Sequence, residues 1–214
     1  MRKVVIGALV AACGLMLSHA RSEAHPHVWA TVHSDVLFNA DGAIAGIRHS
    51  WVLDDMFSAF ALQGIAHAKK GEYTRAELSG LAKTNVTSLK EYGFFTIAKV
   101  GGRKADFSDA TDYWLEYKDD VLTLHFTLPL KAPLKAPSVL IEIYDPEIFV
   151  DLEFAKGTPV SLIGAPPECK LSVQPPHQPT AAEQRRLSEL DNNPLEAGST
   201  YGAIFANKIV VTCP

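Results

Sequence analysis

HVWATVHSDVLFNADGAIAGIRHSWVL, residues 27–53, decides the fold. From His27 to Phe38 apolar and polar residues mostly alternate, and β-branched and aromatic side chains are prominent. That period belongs to a half-buried strand. Asn39-Ala40-Asp41-Gly42 carries turn chemistry, because Asn and Asp bond nearby backbone and Gly accepts positive φ. Ile44 to Leu53 then reads as the returning strand of a hairpin. Residues i and i+2 of a strand share a face, so His27, Trp29 and His33 project together and His25 joins them just upstream.

Downstream, Asp54 or Asp55 can cap a helix expected from Met56 to about Lys70, with Gly71 at its end. Thr74-Arg75-Ala76-Glu77 is a capping box that predicts a second helix ending near Tyr92-Gly93. Strand signals dominate afterwards: Phe94–Val100, Asp112–Tyr117, Val121–Leu130, Val139–Asp145, Phe149–Phe154 and Val160–Ile163. The repeat Lys131-Ala-Pro-Leu-Lys-Ala-Pro137 reads as an extended connection, since Pro fixes φ and blocks a central strand. Pro175-Pro-His-Gln-Pro179 is a second one. Thr180-Ala-Ala-Glu183 is another capping box, for a short helix to about Leu190, and Ile209–Cys213 is strand-like. No linker divides this chain. The expected fold is one α+β domain over residues 25–214, mostly antiparallel and sandwich-like, with a helical pair and a short C-terminal helix.

Upstream, Met1-Arg2-Lys3 precedes an apolar run from Val4 to Leu17, and Ser22-Glu23-Ala24 supplies small residues at −3 and −1. This is the pattern of a secretory signal peptide over residues 1–24, and cleavage after Ala24 makes His25 the N-terminus. The run is shorter than the about 20 residues a bilayer span needs, and no later segment replaces it, so the exported chain carries no transmembrane segment. A rival reading takes Val10-Ala11-Ala12-Cys13 as a lipobox, with Cys13 lipidated and His25 internal. Gly14–Leu17 stays apolar past that cysteine, which favours simple secretion.

Cleavage would remove Arg2, Lys3, Arg21 and Glu23, a net of two positive charges, so the formal charge of −4 becomes −6. A mildly acidic exported domain has no bulk electrostatic reason to bind nucleic acid. Only Cys169 and Cys213 remain after simple secretion. In an oxidising compartment two cysteines read as one disulfide, here closing a loop of about 44 residues. A metal pair is the alternative use of those thiols.

The chemistry concentrates at His25-Pro26-His27. With His25 as a free N-terminus, its α-amine and imidazole can chelate one metal, and His27 adds a third nitrogen. Pro26 narrows the conformational range. Three such donors suit Cu(II), Ni(II) or Zn(II). His33 lies about 26 Å from His25 along an ideal strand, outside that coordination sphere. Among the acids, Asp54 reads as a helix cap and Asp145-Pro146 as a turn start, while metal ligation is the sharper reading for both. His67 and His177 read as solvated, and His125 as a surface or satisfied histidine. No nucleophile motif, phosphate loop or zinc-finger spacing is present.

Four features, AHPHVW after the signal, HSWVLDDMFSAF, IYDPEIFVDLEF and a C-terminal strand ending in cysteine, resemble the DUF1007 family of exported bacterial proteins. The chain departs from the family pattern at Leu53 and at Ile148-Phe149, where more aromatic residues are expected. Members are commonly labelled periplasmic components of an uncharacterised ABC-type transport system. The resemblance implies export to the periplasm and a link to nickel, cobalt or zinc transport, and it nominates His25, His27, Asp54 and Asp145. Two-lobed solute-binding proteins usually alternate β and α units over a longer chain, so a single-domain accessory protein fits better. The expected function is therefore a non-enzymatic transition-metal binder that buffers the ion or delivers it to an inner-membrane transporter. The alternatives are an interaction module without a tight metal site and, further off, a copper enzyme with an N-terminal histidine brace. Oligomeric state is not readable from the sequence.

Overall fold

The computed structural model describes residues 27–185 and 202–214. The expected signal peptide, Cys13, His25 and the end of the short C-terminal helix lie outside them. The hairpin forms as its alternation requires, β1 over Val28–Phe38 and β2 over Ile44–Leu53, antiparallel and joined through Asn39. The Asn39 side chain accepts from the backbone of Asp41 and Ala43, which closes the turn. Val28, Ala30, Val32 and Val36 face inward and His27, Trp29, Thr31 and His33 face solvent.

Two helices follow, α1 (Asp55–Ala61) and α2 (Ser79–Glu91). The first is much shorter than the expected run to Lys70: it stops at Leu62, and Gly64 turns the chain at φ 78°. The Thr74–Glu77 capping box forms, with Glu77 accepting from Thr74 N at 2.7 Å, but the regular helix begins only at Ser79. Past α2, Phe94 and Phe95 both adopt left-handed φ, 55° and 49°. A non-Gly residue there is strained. Both rings are buried in the core, which offsets the cost.

The remaining strands are β3 (Thr96–Val100), β4 (Arg103–Ala105), β5 (Thr111–Lys118), β6 (Val121–Leu134), β7 (Ser138–Ile143), β8 (Val150–Phe154), β9 (Val160–Ile163), β10 (Lys170–Gln174) and β11 (Asn207–Thr212). β6 runs four residues past Leu130 into the Lys-Ala-Pro repeat, so only the second half of that repeat connects. Its last pairing is Ile44 with Leu134, and no β5 residue remains beside it there, so Pro133 breaks no ladder bond. The strands β4 and β10, absent from the sequence reading, are short and polar.

One sheet has the order β5-β6-β2-β1-β8 with β9 also on β1, and the other β10-β11-β7-β3-β4. Among the described strands, only the β1–β8 and β1–β9 pairs are parallel. The inner faces share one core, with Val32, Ile47, Phe126, Leu128, Ile141, Ile143 and Ile209 fully buried. Each such side chain stabilises the fold by about 1.5–3 kcal/mol relative to exposure. α2 closes the β5 edge with Ala82 and Val86, and Ser58 of α1 accepts the Leu122 N–H. The fold is α+β, a two-sheet sandwich with a helical pair. Cys169 and Cys213 are joined by a disulfide that ties β11 down beside β10.

Candidate functional site

His27 enters the fold at the open end of β1. Its N–H donates to Phe149 O at 2.9 Å, and its ring lies 4.8 Å from the Phe149 ring. The parallel register continues with Val28 beside Val150 and Trp29 beside Asp151. Strand alternation therefore places His27, Trp29, Phe149 and Asp151 on one outer face. Trp29 is 48% exposed and Phe149 47%.

The two acids singled out in the sequence are both found beside this strand. Asp54 caps α1, its Oδ1 accepting from Phe57 N at 2.7 Å, while Oδ2 accepts from Trp29 N at 2.9 Å. Its own N–H donates to Trp29 O. One side chain thus ends β2, starts α1 and fixes β1. Asp145 is buried at 5% exposure. Its Oδ1 accepts from Glu147 N, and its Oδ2 from Phe149 N and Val150 N at 3.0 and 2.9 Å. Ile148, inside that loop, is held at φ 58°, a costly conformation for a β-branched residue. Gly202 presses on the same loop: a Cβ there would meet Pro146 Cα at 2.7 Å and the Asp145 carbonyl closer still. The two carboxylates therefore position the backbone on either side of His27. Among the described residues, no group of three or more His, Cys, Asp or Glu side chains is gathered so as to hold a metal ion.

Register creates two further histidine settings. His49 points inward with Ile47 and Trp51 and is fully buried. Its Nδ1 lies 2.9 Å from Ser34 Oγ and its Nε2 3.3 Å from Thr96 Oγ1, linking the two sheets. Burial drives its pKa from 6.5 to about 3, so the ring is neutral. On the outer face His33, Ser50, His125 and Trp114 form one cross-strand row. His125 Nδ1 lies 2.8 Å from Ser50 Oγ, and its Nε2 is 3.6 Å from Glu116 Oε2. The imidazole stacks on Trp114 at 3.9 Å, and Arg75 covers Trp114 at 4.2 Å. Burial lowers the His125 pKa, with Glu116 opposing. Sequence reading placed His125 as surface or satisfied; its partners depend on register, which the sequence does not fix. For His49 the signal existed, in its period-2 spacing from Trp51 and Leu53.

Electrostatically the β1 end is acidic. Half-buried Asp151 sits near Glu153, and burial followed by that like charge raises its carboxyl above the usual range.

Known proteins add a family but no activity. The family model described as a protein of unknown function, DUF1007, matches residues 9–213. An uncharacterised 15.5 kDa protein of Spirochaeta aurantia is 33% identical over 93 residues, 43% of this chain. The match spans just under two thirds of that relative, 66%. An uncharacterised protein of Haemophilus influenzae is 22% identical over 194 residues, covering 89% of this chain and 91% of the relative. With the match running through both sheets and the closing disulfide, this chain belongs to the DUF1007 family.

Proposed function

We propose that the protein is a periplasmic transition-metal-binding accessory that buffers an ion such as Zn(II), Ni(II), Co(II) or Cu(II), or delivers it to an inner-membrane transporter. The observation that carries this reading is the setting of His27. Its imidazole stands at the exposed entry of β1, braced by the Phe149 ring, two residues after His25. With His25 as the first residue, the α-amine and the two imidazoles are the ligands. A neutral imidazole and an unprotonated amine are borderline donors that favour late first-row ions. Asp54 and Asp145 act at one remove in this reading, by fixing the backbone of Trp29 and of Phe149–Val150. Were Cys13 lipidated instead, the His-x-His pair would remain but the amine would be lost.

The test is titration of the chain beginning at His25 with the four ions, using competing chelators, alongside His25→Ala and His27→Ala. The expected result is sub-micromolar binding that each substitution weakens by at least about a hundredfold, since removing a group that merely supports a ligand already costs about 10–100-fold. Tight binding untouched by both substitutions, or no binding of any of the four ions, would sink the reading. Intact mass and N-terminal sequencing of protein from the native host decide between free His25 and lipidated Cys13.

A further inference from the structure

The β1 end combines two features that metal binding does not use. The first is exposed apolar surface. Trp29 and Phe149 share the outer face, diagonally across the β1–β8 pair, and α1, capped by the Asp54 that is bonded to Trp29, carries Met56 and Phe60 one turn apart at 76% and 66% exposure. Phe149 is presented by a loop held in a strained form, through three N–H bonds to Asp145 and the backbone of Gly202. Strain of this kind persists only where surrounding structure over-determines it.

The second feature is charge. Residues 27–34, 49–60 and 144–154, which build this end, contain no lysine or arginine. Asp55, Glu147, Asp151 and Glu153 rim the aromatic pair, and neither Asp151 nor Glu153 forms an ion pair among the described residues. Arg103, Lys104, Lys131 and Lys135 line a cleft of about 430 Å³ between β4 and the end of β6. That cleft lies at the far end of β1, where Phe38, Ile44 and Leu134 are paired, about 30 Å from Trp29 at the strand rise.

We propose that the open β1 end is the docking surface for a partner protein that offers a cationic amphipathic segment. Lysine or arginine heads would meet the acidic rim and the faces of Trp29 and Phe149, where a cation is attracted to the ring quadrupole. Apolar side chains would cover Met56 and Phe60. An anionic membrane surface fits poorly, because the rim repels its headgroups. A second copy fits poorly too, since a two-fold contact would set this acidic patch against itself. The surface includes the neighbourhood of the proposed metal site but does not need the metal.

The experiment is run in chelator, so its outcome is separate from that of the metal titration. The chain from His25 onward, which contains every described residue, is titrated with an 18-residue Lys/Leu amphipathic helix, with its Glu/Leu counterpart, and with phosphatidylglycerol vesicles. Binding is read by amide chemical shifts and tryptophan emission. The Lys/Leu peptide should bind at least about tenfold tighter than the Glu/Leu peptide, and weaken with salt. Its shifts should map to β1, α1 and the 145–151 loop. Trp29→Ala with Phe149→Ala should weaken it about tenfold or more, as buried aromatic anchors do. The double variant Asp151→Asn, Glu153→Gln changes only surface charge and should weaken it about fivefold, whereas Asp106→Asn with Asp109→Asn should not. Equal binding of the two peptides, equal effects of the near and distant acid variants, or preferential capture of the vesicles through Trp29 would each overturn the proposal.

Discussion

Acidification should destabilise this protein through a single core histidine. His49 is fully buried between Trp51 and Phe126, with ring centroids at 5.6 and 5.0 Å, and bonds only to the hydroxyls of Ser34 and Thr96. No carboxylate reaches it to stabilise an imidazolium. In the unfolded chain the ring takes up a proton near pH 6.5, whereas in the folded protein burial delays this to about 3. Between those values the unfolded state binds the extra proton, so stability is complete above pH 6.5 and falls as the pH drops. Each pH unit in that window costs more than about 1 kcal/mol, giving a loss of about 3 kcal/mol at pH 4.5. That is a large part of a typical 5–15 kcal/mol total. Urea unfolding at pH 7.5, 5.5 and 4.5, with the disulfide intact, measures it. His49→Asn, whose amide can keep a bond to Ser34 without titrating, supplies the comparison. The variant starts less stable but should lose about 3 kcal/mol less than the parent over that range, a difference of more than about 1 M in urea midpoint at a slope of roughly 2 kcal/mol/M. Parallel losses in the two proteins would refute the reasoning.

Asp145→Ala should cost about 3 kcal/mol in urea unfolding, because three loop N–H groups lose their acceptor, a loss only partly offset as Ile148 relaxes from its strained φ. Asp145→Asn should recover part of this, its amide oxygen still accepting. Asp54→Ala removes a helix cap and the bond to Trp29 N, so a loss of about 1–2 kcal/mol and altered Trp29 emission are expected. Gly202→Ala should lower the melting temperature by several degrees, since its Cβ has no room against Asp145 and Pro146. Reduction of Cys169–Cys213, which closes a separation of 44 residues, should cost about 4 kcal/mol on the chain-entropy estimate, read as the shift in unfolding midpoint with and without reductant.

Local chemistry made the first hairpin legible. The alternation from His27 and the Asn-Ala-Asp-Gly turn placed its strands almost to the residue, and Asp54 showed itself as a cap. What the residues next to one another could not carry was the pairing of β1 with β8 and β9. That contact joins segments 122 residues apart, from Val28 to Val150, and it gives Asp145 its place beside His27. The early end of α1 was hidden because residues 62–70 stay compatible with a helix until Gly64 turns the chain. The polar edge strand β10 has too little apolar alternation to stand out. The outer row of His33, Ser50 and His125 exists only through the registers of two separate strand pairs, and a one-residue slip in either would dissolve it.

The two ends of the described chain sit inside the sheets, not at their borders. β1 is flanked by β2 on one side and by β8 and β9 on the other, and β11 lies between β10 and β7. Synthesis delivers β1 first and its parallel partners only after more than a hundred further residues, and β11 arrives last of all. The first sheet cannot be completed before Ile163 is available, nor the second before β11, which is the high-contact-order regime of slow folding. The protein should therefore spend its early life with an aromatic, strand-forming segment, residues 28–38, still lacking two of its partners, the state in which a chaperone can hold it. Shortening either end by a few residues into β1 or β11 would remove an interior strand and abolish folding, while extensions ahead of His27 would leave both sheets intact.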